Sequence, residues 1–496
     1  MAELASYPLL TILLSLPVLG AVLTAGLRRA PAARWVALGS TGLTLFCALL
    51  IVVTFDRAEA GFQLLDSARW IPGVNVRYLV GVDGLSLLFL PATALLFGGV
   101  VVASWRLSPA VATPGIYFAL LLLLETATLG VFCALDTILF FCFWEFTLLP
   151  VYFLVSLWGV GAGRQAAAVR YFLVMLAGGV PLLFGLLALA FAQAGGGALV
   201  FDLPTLLARP LPERSQYLVF LLLLAGFGVK VPLVPLHTWL PSLAMGAPAA
   251  ITALLVGLKL GAYGLIRFAI PLAPLAARDL HWLLAGFGTA AILYGGVAAL
   301  AHSNLRGVLA YSSLAHVGLV LLGLASFSVS ALQGALLLLL NFSVAASSGF
   351  LVLSFLQRRT ASTDITRLGG VMQSMPVLSG FFLLFGLAGI GLPGTSGFPA
   401  ELLIIVATLH SHTGAGLAAL FGMVLAAAGF LAPFRQAFLG PLRNPDVATA
   451  ADLLPRERAC LLLPALLILA VGVYPLPILE LLRPTAEAWV AALAGL

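Results

Sequence analysis

The chain of 496 residues is 62% hydrophobic and only 8% charged, with a mean hydropathy of +1.15. Soluble domains carry about 25% charged residues, so this composition excludes a soluble enzyme or binding module and indicates an integral membrane protein. The formal charge of +6 is no nucleic-acid footprint, because excess arginine in a membrane protein marks cytoplasmic loops.

Apolar runs long enough to cross a bilayer recur along the whole chain, unlike the single N-terminal stretch of a signal peptide. Their pattern predicts fourteen spans. The first six lie near 8–27, 33–54, 79–104, 114–134, 137–158 and 168–193. The next four lie near 217–242, 247–271, 281–301 and 305–326, and the last four near 330–356, 376–409, 414–438 and 459–482. No hydrophilic segment is left to form a soluble catalytic module.

Two spans carry residues that break a helix. The seventh contains Pro232 and Pro235; the twelfth reads "GIGLPGTSGFPAELL", with Gly391, Pro393, Gly394, Gly397 and Pro399. Irregular backbone in a membrane must be covered by protein or line a wet cavity. The two breaks stand five spans apart and so run in opposite directions, the arrangement of a transporter core built from inverted repeats. The expected architecture is therefore all-α and polytopic. It comprises N-terminal helices in 1–113, a first five-helix repeat in 114–271, a second in 281–440, and a cytoplasmic loop with a final helix in 441–496.

Loops after odd-numbered spans hold Arg28, Arg29, Arg34, Arg106, Arg164, Arg306, Arg358, Arg359, Arg367, Arg443, Arg456 and Arg458. Loops after even-numbered spans hold only Arg57, Arg69, Arg77, Arg209, Arg214 and Arg278. The positive-inside rule places the former in the cytoplasm and both termini on the opposite side. The four cysteines, Cys47, Cys133, Cys142 and Cys460, lack metal-site spacing and read as small packing residues.

Ionisable residues within the spans are few: Glu125, Glu145, Lys230, Lys259 and Glu401, with Arg267 near an end, Asp136 between spans, and His237, His316 and His410. A charge at the bilayer centre costs about 2.5–3.5 kcal/mol on insertion scales, so each needs a partner or a function. A Glu145–Lys230 pair could simply pin two helices. The basic residues argue for more. Lys230 and Lys259 are the only lysines in the chain, and both lie in apolar segments. A fixed ion pair is served at least as well by arginine, whereas a desolvated lysine can release its proton. Glu145 near Lys230 would favour the charged amine, and loss of that negative charge would favour its release, so the pair works as an electrostatic switch. His237 and His316 titrate near neutral pH and could relay protons between Lys259 and Glu401. His410 and His412, in "TLHSHTG", read as a helix end facing water.

The segments "FWEFTLLPVYFL", "GFGVKVPLVPLHTWLP", "LLVGLKLGAYGLIRF", "LRGVLAYSSLAHVG" and "GLPGTSGFPAELL" occur in this order, and together they resemble the antiporter-like subunits of respiratory complex I. "YLVGVDGLSLLF", "DLLPRE" and a glutamate at 401 resemble the subunit M class of that family. The resemblance implies fourteen helices with helices seven and twelve broken. It also implies a proton path through Glu145, Lys230, Lys259, His316 and Glu401; His237 and Glu125 are candidate additional relays on the residues alone. Flavin, iron–sulfur clusters and quinone would belong to partner subunits: other antiporter-like chains, further membrane subunits and a peripheral electron-transfer arm. No cofactor, metal or nucleic acid is expected on this chain, only lipid around it, and the expected location is a bacterial inner membrane.

The chain departs from the family pattern at "SLAMGAPAA" (242–250), where the family carries ionisable groups, and at Phe342, where it commonly has histidine. Ser343, Ser347, Ser348 and Asn341 are the residues that could hold bridging water there. The alternative readings are a cation/proton antiporter subunit of the Mrp type and a membrane subunit of a related hydrogenase, ferredoxin-dependent or carbon dioxide-uptake complex. A third is a scaffold that no longer conducts.

Overall fold

The computed structural model describes residues 7–27, 30–106, 114–194, 197–442 and 444–494. Arg28, Arg29 and Arg443, used above for orientation, and the expected boundary at 113 lie outside the described residues.

Helices α1 (Leu9–Gly26) and α2 (Ala30–Thr54) lead into an antiparallel hairpin of β1 (Gln63–Ile71) and β2 (Val76–Val82), followed by α3 (Phe89–Ala103) and α4 (Pro114–Cys133). The fifth pass is α5 (Thr137–Phe146) with α6 (Leu148–Trp158), and the sixth is α7 (Arg164–Ala194). After the short α8 (Leu203–Ala208), the seventh pass comprises α9 (Glu213–Lys230) and α10 (Trp239–Gly246). The eighth comprises α11 (Ala249–Gly257), α12 (Leu260–Gly264), a π-helical turn over Leu265–Ala269 and α13 (Ile270–Leu272). Short α14 (Pro274–Asp279) leads to α15 (His281–Leu300), α16 (Leu305–Ala325) and α17 (Val329–Thr360). Beyond α18 (Val371–Ser374), the twelfth pass is α19 (Pro376–Gly389) with α20 (Gly397–Ser411). The thirteenth, α21 (Thr413–Phe434), ends in a second π-helical turn over Arg435–Leu439. Short α22 (Pro445–Ala448), then α23 (Pro455–Val473) and α24 (Leu476–Ala494) complete the chain.

Among the described residues ten helical segments are long and apolar enough to span a membrane alone. Helix α3 and the passes built on α9, on α19 with α20, and on α23 bring the number to the fourteen expected. Helices α4, α16, α17 and the eighth pass are mostly buried and form the inner layer. Helices α1, α2, α7 and α21 keep exposed apolar side chains such as Val22, Phe46, Phe184 and Val424, as lipid requires.

Several elements of the chain before His281 have counterparts after it. Helices α4 and α15 have 20 residues each, and α7 and α17 have 31 and 32. Each set, counted from α4 and from α15, breaks its fourth pass and ends its fifth near a π-helical turn. In the first, Asp136 bridges to Asp202 across the loops; in the second, Asn304 bridges to Asp364. All four are caps: the side chain of each accepts from the amides that begin the next helix, supplying partners these amides lack within the helix.

Three expectations are corrected. The third span was expected over 79–104, but 79–82 lies in β2, and Asp83 accepts from the amides of Leu85 and Ser86 in a tight turn before α3 begins at Phe89. The eighth pass is interrupted at Leu258–Lys259 rather than continuous. The last span, expected over 459–482, divides at Tyr474–Pro475, where α24 departs from α23 by 73°. Proline cannot donate to the helical ladder, and α24 runs across the molecule instead.

Candidate functional site

Helix α9 stops at Lys230 because the following Pro232 and Pro235 cannot continue its ladder. The carbonyl of Val229, next to the break, accepts from the indole Nε1 of Trp239 at 2.9 Å, so the broken backbone is covered by protein. Lys230 turns its Nζ toward the junction between α5 and α6. It donates to Thr147 Oγ1 at 2.8 Å and to the carbonyl of Trp144 at 3.3 Å, and lies 3.9 Å from the centre of the Trp144 ring. That stack is a cation–π contact, strongest where water is excluded.

Glu145 shares helix α5 with Trp144, yet no direct ion pair joins it to Lys230. Its carboxylate lies against Gly179 of α7, where any Cβ would collide with it, and Oε1 has no hydrogen-bond partner. The two groups are neighbours along α5 and α9 without touching.

Lys259 stands at the interruption between α11 and α12. Gly261, just beyond, lets this chain approach the backbone of Lys230 and Val231, so the two broken passes meet at their breaks. The Gly257 carbonyl at the end of α11 is satisfied from α17, where Ser343 Oγ donates to it at 3.1 Å, and Ser347 Oγ adds a bond to Ala253 at 3.0 Å. These serines, expected to hold bridging water, are committed to backbone instead. Lys259 is 9% exposed and donates from Nζ to Ser313 Oγ of α16.

Lys230 and Lys259 line a single cavity of about 40 Å³, together with Thr147, Tyr171, Thr128 and Trp239. One water needs ~10–15 Å³ of such space and two to four polar partners, so this cavity has room for water between the two amines.

Ser313 and His316 lie one turn apart on α16 and share a face. His316 Nδ1 is 2.6 Å from the carbonyl of Ser312, within reach to donate to it. Nε2 faces Glu401 Oε1 at 3.6 Å. Glu401 is 2% exposed on α20, and its Oε2 rests against Gly391, whose φ of +68° and lack of a Cβ make the space. Asn341 of α17 staples the break: its Nδ2 donates to Ala388 at 3.3 Å and its Oδ1 accepts from Ser396 Oγ at 2.6 Å.

Glu125 and His237 stand off this line. Glu125 is fully buried on α4 with no partner for either oxygen, although Leu124 and Thr128 of the same helix line the cavity. His237 packs edge-on to Tyr294 with ring centres 4.7 Å apart, and its Nδ1 has no partner. Sequence reasoning missed the Lys230 acceptor Thr147, the Lys259 acceptor Ser313, and the buried pair of Asp83 with Arg267, bonded at 2.6 Å through Oδ2 and Nη1. Only the position of Asp83 ahead of an apolar run hinted at the last. Among the described residues no three His, Cys, Asp or Glu side chains converge to hold a metal ion.

Residues 134–426 match the profile of a transmembrane family described as NADH:quinone oxidoreductase/Mrp antiporter. The chain is 34% identical to NADH-quinone oxidoreductase subunit M of Rhodobacter capsulatus, over 96% of this chain and 95% of that one. It is 32% identical to F(420)H(2) dehydrogenase subunit M of Methanosarcina mazei, over 92% of each. Among solved structures, a chain of respiratory complex I from Thermus thermophilus superposes with a TM-score of 0.88 at 32% identity, covering 98% of this chain and 99% of that one. A chain of an Mrp complex from a Dietzia species shares the fold, with a TM-score of 0.84 at 22% identity and coverage of 98% and 99%.

Proposed function

The chain belongs to the NADH:quinone oxidoreductase/Mrp antiporter transmembrane family, and from that premise we propose that it is the proton-translocating, subunit M-type membrane chain of a redox-driven complex of the NADH:quinone oxidoreductase class. The observation that carries the proton path is the shared cavity. The only two lysines of the chain, each at the break of a separate pass, line one water-sized space. The proton enters beside Glu145 and Lys230, crosses to Lys259 and Ser313, reaches His316 and leaves past Glu401. Glu125 and His237 act as side relays.

The Lys230–Thr147 bond fits one charge state of a switch. While Glu145 is charged the protonated amine is held; when that charge is neutralised or moved, the amine gives its proton to the cavity. Electron transfer through flavin, iron–sulfur clusters and quinone takes place in partner subunits, and its energy reaches this chain through their contacts. Relatives named for NADH and for F(420)H(2) match at 34% and 32% identity, so the membrane machinery is common to different electron donors. We place the chain in a bacterial inner membrane, and the arginine distribution supports both termini on the non-cytoplasmic side.

Lys230→Met and Lys259→Met in the assembled complex test the path. Quinone reductase activity is expected to assemble with each variant while the ratio of protons moved to electrons transferred falls. An unchanged ratio in both variants overturns the assignment.

A further inference from the structure

The proton path proposed above contains one position with no polar atom, Phe342 of α17. Its ring is 3% exposed and lies between the two halves of the path. On one side the Lys259 Nζ is 5.9 Å from the ring centre; on the other the His316 ring centre is 4.6 Å away.

Proton transfer needs donor and acceptor within about 2.6–3.2 Å, directly or through one water. Lys259 meets this condition toward Ser313. Past Ser313 it fails: no hydrogen bond joins Ser313 to His316, whose Nδ1 lies against the Ser312 carbonyl and whose Nε2 is 3.6 Å from Glu401 Oε1. The Phe342 ring packs against both Lys259 and His316 and takes up space that a water bridging them would need. The neighbouring hydroxyls of Ser343 and Ser347 spend their protons on carbonyls of α11, which leaves them only as acceptors.

We propose that Phe342 is the gate of this path, an apolar ring that separates one compartment, the cavity lined by Lys230 and Lys259, from another, the buried pair of His316 and Glu401. It belongs to the path read above, and it gives that path a valve. A continuous file of water between the two compartments would let protons run back down the gradient without any electron transfer. With the ring in place, transfer requires the ring to swing away. The Lys259 ammonium supplies a reason for motion, since it attracts the ring face when charged and loses that attraction when neutral. A residue that merely filled space could occupy any apolar rotamer on α17, whereas this ring stands against both ionisable groups at once.

The test uses membrane vesicles carrying the assembled complex, with the electron donor withheld, and reads proton influx after an acid jump with a pH dye trapped inside. Phe342→Ala is expected to raise the influx by about tenfold, the change that ~1.4 kcal/mol off a barrier produces. Phe342→Leu, which keeps an apolar plug, is expected to match the parent. Adding Lys259→Met to Phe342→Ala is expected to abolish the extra influx, because the leak passes through Lys259. Should Phe342→Ala not assemble, Phe342→Val removes less volume and is read in the same way. Vesicles as tight as the parent overturn the gate, and so does a leak that survives Lys259→Met. Loss of pumping in Lys259→Met alone, beside tight Phe342→Ala vesicles, would keep the path and remove only its valve.

Discussion

The carboxylate of Glu401 rests on the α-carbon of Gly391, ten residues earlier in the same broken pass. Gly391 holds a φ of +68°, so a side chain there meets two penalties: a left-handed backbone and a collision with Oε2. A residue forced into such a conformation costs about 1–3 kcal/mol. Gly391→Ala is therefore expected to lower the apparent melting temperature of the complex and to reduce proton movement, because Glu401 must leave its position facing His316. Gly389→Ala is the control, since a Cβ there meets nothing within 4 Å. Equal behaviour of the two variants would remove any special role from the Gly391 notch.

Thr147 holds Lys230 by a bond of 2.8 Å. Thr147→Val keeps the shape and removes the oxygen. A hydrogen bond to a charged group is worth about 1.5–3 kcal/mol, so the protonated amine loses that much support. Proton movement per electron is expected to drop severalfold while quinone reduction continues, and Thr147→Ser is expected to restore it. The split between the two rates is the readout, because a purely structural hydroxyl would lower both together.

The breaks were legible in the sequence because proline and glycine act locally: Pro232, Pro235, Gly391 and Pro393 interrupt a ladder whatever surrounds them. The lysines were legible for another local reason, their rarity in a chain that otherwise uses arginine. Partners were not. Lys230 was expected to face Glu145, yet it bonds Thr147 two residues along, a matter of which way a long side chain turns on packing. The interruption at Lys259 carries no proline; it is braced by α17 serines more than eighty residues away that bond carbonyls of α11. The β1–β2 hairpin was hidden because the apolar run through β2 continues into α3 and reads as one span. Helix α24 was hidden because Pro475 falls inside an apolar stretch.

Asp83 and Arg267 form a buried pair 184 residues apart, with Arg267 Nε also donating to the Tyr263 hydroxyl at 3.1 Å. Removing one partner of a buried pair leaves an uncompensated charge and costs about 3–5 kcal/mol, whereas replacing both by apolar or neutral groups is often nearly neutral. Asp83→Asn is expected to reduce the amount of folded chain in membranes and lower its apparent melting temperature. Asp83→Asn with Arg267→Met is expected to recover most of the loss. A double variant as unstable as the single one would mean that the pair, rather than the lone charge, holds the start of α3 to the eighth pass.

His281 Nδ1 and His412 Nε2 are 2.7 Å apart, joining the start of α15 to the loop between α20 and α21. One ring must donate and the other accept, so the bond exists only while at least one of the two is neutral. Burial, and then the nearby His281, hold the imidazole of His412 below the ordinary histidine value. A histidine depressed in the folded state binds protons more weakly there than in the unfolded chain, so stability is fully present above about pH 6.5 and declines as the pH falls below it. The melting temperature of the purified complex is expected to drop between pH 6.5 and 5. His412→Gln is expected to flatten that acid limb, because the amide can still bond His281 and takes up no proton. An acid limb of undiminished slope in this variant would assign the sensitivity to other groups and leave the His281–His412 contact as a simple tie between two loops.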